Sequence, residues 1–278
     1  MDKTHVETDN RLKRIHRDIS GIYIGARYKI RVCAKKFLTR FEKVDTRQRK
    51  LYEAGIITGQ QYKLWRKRTI LGDRRFPKFR KEIALILYSA NVEAIEYISD
   101  QLADIYTLNY NAAKDRHGLA DFDTIDRLPK CAEKALPHKT VDKRKDIAWN
   151  AEHIEAAIYY AAVHLLPLME LCEALDAVVE SNRNSANRNA VVLVTGAENL
   201  GRYNAYEKII QLGYHAEKRW KTVGDNRVRH AHRELANVQI PLRVPFYNRY
   251  GAIMYPGDPH ADPRNTYGCR CYLEIALL

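Results

Sequence analysis

The chain has 278 residues, 46% hydrophobic and 29% charged, which gives it the apolar material for a packed core and excludes wholesale disorder. Its formal net charge of +13 and pI near 9.4 argue against an ordinary acidic cytosolic enzyme and favour a polyanionic neighbour: nucleic acid, a membrane surface or an acidic protein. Five cysteines, of which Cys33, Cys131 and Cys172 are isolated, do not make a disulfide framework and point to a reducing compartment.

The charge is uneven. Residues 1–90 hold 24 Lys and Arg against 9 Asp and Glu, residues 91–190 hold 11 against 17, and residues 191–278 hold 12 against 8. The basic excess therefore belongs to the first third. The N-terminus enters charged sequence directly, without the apolar stretch of a secretion signal.

In residues 10–50, Ile15, Ile19, Ile22, Ile30, Phe37 and Phe41 recur at helical intervals with Lys and Arg between them. A turn is expected at Ala54-Gly55 and Gly59, with Thr58 capping a second helix that carries Tyr62 and Trp65. Gly72-Asp73 and Pro77 mark another break. Over 79–113 the stripe Ile83, Leu87, Ala90, Ala94, Ile98, Leu102 and Ile105 predicts a long amphipathic helix. Residues 114–146 read as a long connection with short helical pieces, and 147–180 as a helix that Pro167 kinks or splits. The apolar run Ala156–Met169 is too short to cross a bilayer and reads as a buried core helix.

Residues 181–190, a polar Ser/Asn/Arg stretch, read as a linker. Beyond it, Val191–Val194 suggests a short strand and 197–212 a helix ending at Gly213. Short apolar runs then follow at Val238–Ile240, Leu242–Phe246, Ala252–Tyr255 and Tyr272–Ile275. The expected architecture is a mainly α N-terminal region, residues 1–180, followed by a small α+β C-terminal module, residues 191–278.

Three clusters could carry chemistry: Trp220–His232, Tyr255–His260 and Gly268–Cys271. Cys269 and Cys271 would share one face of a strand, and His230, His232 and His260 are nearby candidates for a metal. Structural zinc sites usually separate their cysteines by roughly two to four residues, whereas one residue separates this pair. The pair therefore reads as two buried thiols and no cofactor is assigned; the alternative is zinc on His232, His260, Cys269 and Cys271, in a zinc-stabilised DNA-binding module. Asp225, Arg227, Arg229 and His232 could form a base, its orienter and a phosphate clamp. No nucleophile or acidic metal pair accompanies them, so they read as a structural network. The enzymatic alternative acts on nucleic acid or transfers a group, centred on His232, Asp225 and Arg229. Gly196 and Gly201 lack phosphate-loop spacing. In the basic third, Arg14, Arg17, Arg27, Lys29, Arg31, Lys35, Lys36 and Arg40, interleaved with Tyr23, Tyr28, Phe37 and Phe41, are the expected polyanion contacts.

The C-terminal third resembles the head-morphogenesis module of tailed-phage minor head proteins, the group typified by phage Mu protein F. The resemblance rests on Trp220, then Asp225, Arg227, Arg229 and His232, then Pro256-Gly257-Asp258, then Gly268-Cys269-Arg270-Cys271. Gly268 stands where that family has Asn, and Val194-Thr195-Gly196-Ala197-Glu198 only loosely matches its opening Arg-Thr-Glu. The N-terminal part is similar in texture to the helical region that precedes the module. The resemblance implies a non-enzymatic minor structural protein of the virion, assembled in the host cytoplasm. Its implied partners are the portal protein, the major capsid protein and double-stranded DNA, and its implied roles are head assembly and DNA packaging or ejection.

Overall fold

A computed structural model describes residues 2–119, 121–167 and 170–278. It is mainly helical, with a small sheet-bearing C-terminal module. In chain order the long helices are α1 (Lys3–Glu53), α2 (Gly59–Ile70), α3 (Phe76–His117), α5 (Lys143–Val163) and α6 (Leu171–Gln211), with the one-turn α4 (Lys130–Glu133) between α3 and α5. The remainder comprises β1 (Ala216–Lys221), α7 (His230–Arg233), β2 (Gln239–Pro241), β3 (Phe246–Asn248), β4 (Gly251–Ile253), α8 (Pro263–Thr266) and β5 (Tyr272–Leu277).

Most of the predicted helices form where their apolar periodicity places them. Ile15, Ile19, Ile30, Phe37 and Phe41 are all buried along α1. Thr58 caps α2 as expected: its hydroxyl accepts from Gln61 N at 3.2 Å, and Gln61 Oε1 accepts from Thr58 N at 2.7 Å. Pro167 splits the 147–180 stretch, since α5 ends at Val163 and α6 begins at Leu171. The expectation for the run Ala156–Met169 includes Leu168 and Met169, which lie outside the described residues. Ile158, Ala161 and Ala162 within it are buried. Among the described residues, no helix is long and apolar enough to cross a membrane.

Two expectations are overturned. Residues 181–190 are not a linker and Val191–Val194 is not a strand, because both lie inside α6. The polar texture misleads because the buried face is itself partly polar. Asn182 is buried, and its amide donates to Val178 O and to Asn150 Oδ1, each at 2.8 Å. Ala186, Ala190, Leu193, Ala197 and Leu200 continue the buried stripe, and packing overrides the weak helix propensity of the valines.

The chain forms two compact units built from non-contiguous stretches, so the boundary expected at 181–190 does not divide it. One unit comprises Asp18–Ala94 and Thr140–Ala186. Its core includes Phe37 stacked on Phe79 at 4.2 Å, and a buried ion pair in which Asp45 Oδ1 accepts from Arg66 Nε and from Tyr62 Oη, each at 2.9 Å. Its other polar centre joins Asn91, Asp146, Asn150 and Asn182. The Asn91 amide donates to Asp146 at 2.7 Å and to Asn182 at 2.8 Å, and the Asn150 amide donates to Asp146 at 2.9 Å.

The other unit comprises the residues up to Arg17, Ile95–Lys139 and Asn187–Leu278. Its antiparallel sheet has the order β2-β1-β5, with Trp220 opposite Leu273 and Lys218 opposite Ile275. A separate hairpin pairs β3 with β4. β1 alternates buried and half-buried residues, so Ala216, Lys218 and Trp220 enter the core. Arg202 of α6 is buried among Asp2, Asn109 and Glu198 and also donates to Leu273 O at 2.8 Å, which ties the helix to β5.

Candidate metal centre

The candidate site grows from the buried face of β1. Trp220 is fully buried and meets the His232 ring edge-on at 5.0 Å and Phe246 at 5.2 Å. One turn of helix, α7, turns His232 inward while His230 stays exposed, paired with Glu234 at 3.1 Å. Asn237, in the left-handed region that Asn tolerates, returns the chain to the sheet and donates its N–H to Trp220 O at 2.8 Å.

Cys269 and Cys271 lie on the segment entering β5. Both are buried, with half-buried Arg270 between them. Their sulfurs face the same imidazole: His232 Nδ1 lies 3.5 Å from Cys269 Sγ and 3.6 Å from Cys271 Sγ. The one-face geometry expected of this pair is present, although the segment precedes the strand. Helix α6 holds it in place. Thr195 Oγ1 donates to Cys269 O at 2.7 Å, and Asn199 donates to Cys271 O and accepts from Leu273 N at 2.7 Å. Thr195 lies in the Val194–Glu198 stretch, and its hydroxyl helps close the C-terminal segment against α6.

The Pro256-Gly257-Asp258 turn serves the same packing. Gly257 has φ 78°, and a Cβ there would sit 2.6 Å from Gly196 N and 2.7 Å from Gly196 Cα. Only two glycines permit this approach of the turn to α6. Buried Asp258 accepts from Met254 N at 3.1 Å and from His260 N at 2.9 Å.

The structure separates other residues that the sequence grouped. Asp225 does not orient His232: its carboxylate accepts from Arg270 at 2.7 and 2.8 Å, with Arg227 Nε at 3.6 Å. Arg270 holds the Asp225 carboxyl below the usual carboxylate range. Arg229 donates to the carbonyls of Arg264 and Tyr267. His260 is exposed and does not join the His/Cys/Cys group, which corrects the four-residue zinc set to His232, Cys269 and Cys271. The expected Asp225–Arg–His232 network is instead two clusters, one charged and half-exposed, the other sulfur-bearing and buried.

The two thiols are unequal. Cys269 is shifted well below the usual thiol range, first by the hydrogen bond from Cys271 and then by His232, while Cys271 is pushed up by the proton it shares with Cys269 and by burial. A small cavity of about 20 Å³ adjoins the group, lined by His232 and both cysteines together with Val223 and Arg229.

Sequence reading missed Lys218. It is fully buried, its ammonium donates to Met254 O at 2.7 Å, and the Tyr203 and Phe246 rings flank it at 5.5 and 5.1 Å. The alternation of β1 around Trp220 is the signal that could have placed it inside.

Of the expected polyanion contacts, Arg14 pairs with Glu7, Arg31 with Asp176, and Arg27 with Asp176 and Glu180. Arg40 lies over the Phe37 ring at 5.5 Å. Arg17, Lys29, Lys35 and Lys36 are exposed on α1.

The fold and site define a largely helical protein whose C-terminal sheet module is organised around a buried histidine and two cysteines. No protein-family model, curated protein or solved structure matches the chain.

Proposed function

We propose that this is a minor structural protein of a tailed-phage head, acting through binding rather than catalysis. The observation that carries the reading is the convergence of the motif pieces. Trp220, His232, Cys269 and Cys271 meet in one buried centre, the Pro256-Gly257-Asp258 turn seats on α6, and Asp225 and Arg229 are each tied down by polar partners. These residues are engaged in holding a module together. The Asp–His pair that a hydrolytic centre of this composition needs is not formed, which supports the structural reading over the enzymatic one.

On this reading the exposed basic face of α1 contacts double-stranded DNA or an acidic surface of the portal or major capsid protein, during head assembly and DNA packaging or ejection. The location is the virion. The test is quantitative mass spectrometry and labelled-antibody electron microscopy of particles from a host that expresses the protein. The expected result is a few copies per particle, at the portal vertex or inner wall. Absence from purified particles that assemble and package normally without it overturns the reading.

A further inference from the structure

We propose that His232, Cys269 and Cys271 bind a zinc-class divalent ion whose fourth coordination position opens on the adjoining cavity. The proposal rests first on geometry. An ion with bonds of about 2.3 Å to sulfur and about 2.0–2.1 Å to nitrogen holds tetrahedral N and S ligands about 3.6 Å apart. His232 Nδ1 sits 3.5 and 3.6 Å from the two sulfurs, so both nitrogen–sulfur edges of that tetrahedron are already in place. All three ligand atoms lie within 4.8 Å of one another.

The second support is the surroundings. All three residues are buried, and two thiolates with an imidazole form a borderline-soft donor set that suits zinc better than magnesium or calcium. The cavity is lined by all three ligating residues and has room for about one water. The ligands come from α7 and from the segment entering β5, so the ion would cross-link two pieces of chain 37 to 39 residues apart. Asp225, the carboxylate grouped with His232 in the sequence, is instead held by Arg270 at 2.7 and 2.8 Å. This inference does not rest on the phage-head reading, since metal content and particle location are measured independently.

The experiment uses the full chain, purified from zinc-supplemented cells and analysed for metal. The expected result is about one equivalent of zinc, retained in His230→Ala and His260→Ala but lost in Cys269→Ser and Cys271→Ser. Because losing a buried cysteine can unfold the module on its own, the intact protein is also stripped and reloaded with Co²⁺ alone. A thiolate-to-cobalt charge-transfer band with tetrahedral visible absorption supports the site. Less than about a tenth of an equivalent of zinc, with no such band on cobalt loading, overturns it. A Cys269–Cys271 disulfide in the freshly purified protein, with no metal taken up after reduction, overturns it equally.

Discussion

At the scale of single residues, burial rather than residue type decides behaviour. Lys218 looks like any lysine in the sequence, yet desolvation in the core pulls its pKa down to about 7 from an ordinary 10.5. In the unfolded chain it stays protonated up to that ordinary value, so between these limits the unfolded state binds more protons and stability rises with pH. The slope is at most about 1.4 kcal/mol per pH unit. Below pH 7 both states are protonated and this contribution is flat, at its least favourable. Denaturant titrations at pH 7 and pH 9 should show the wild type gaining stability, and Lys218→Met should lose that gain; an equal gain in the variant removes Lys218 as its source. Gly257 makes the complementary case. Its positive φ and its contact with Gly196 leave no space for a methyl group. Gly257→Ala should cost about 2–4 kcal/mol in thermal or chemical unfolding, whereas a change within experimental error would mean that the turn does not seat on α6 as described.

At the scale of elements, α6 shows how a polar stretch becomes a helix. Asn182 is satisfied by its own helix and by Asn150, while Asn91 donates to it in turn. Removing it leaves buried partners unpaired. Asn182→Ala is expected to cost about 1–3 kcal/mol, read by the shift of the unfolding midpoint. A neutral result would indicate that water replaces the amide. The same element exposes the limits of pattern reading. Periodicity found α1, α3 and the Thr58 cap because their buried faces are apolar and their caps have a local sequence signature. It missed the middle of α6 because Asn182 and the small residues after it pack by partners distant in sequence.

At the scale of the molecule, the basic excess lies in the first third of the chain, on α1, α2 and the start of α3. The exposed Lys29, Lys35 and Lys36 stand on α1, whereas Arg27 and Arg31 are engaged by Asp176 and Glu180. If α1 meets DNA, binding of the full chain to random duplex should weaken steeply with salt. Replacing the three lysines by glutamate should reduce the logarithmic salt slope by about three units. Undiminished binding in that variant would direct the search to an acidic protein partner.

By itself the sequence determined the fold class, the basic first third and most helix positions, and it offered His232, Cys269 and Cys271 among a wider set of candidates, because periodicity, composition and short motifs are local properties. Only the tertiary structure decided the rest. It put Cys269, Cys271 and His232 around one point and left His260 outside, since pairing across 37 residues depends on how α7 and β5 pack. It gave Asp225 to Arg270 instead of His232, made the expected linker part of α6, and buried Lys218. Each of those outcomes depends on which distant groups exclude water around a side chain, and that follows from packing rather than from neighbours along the chain.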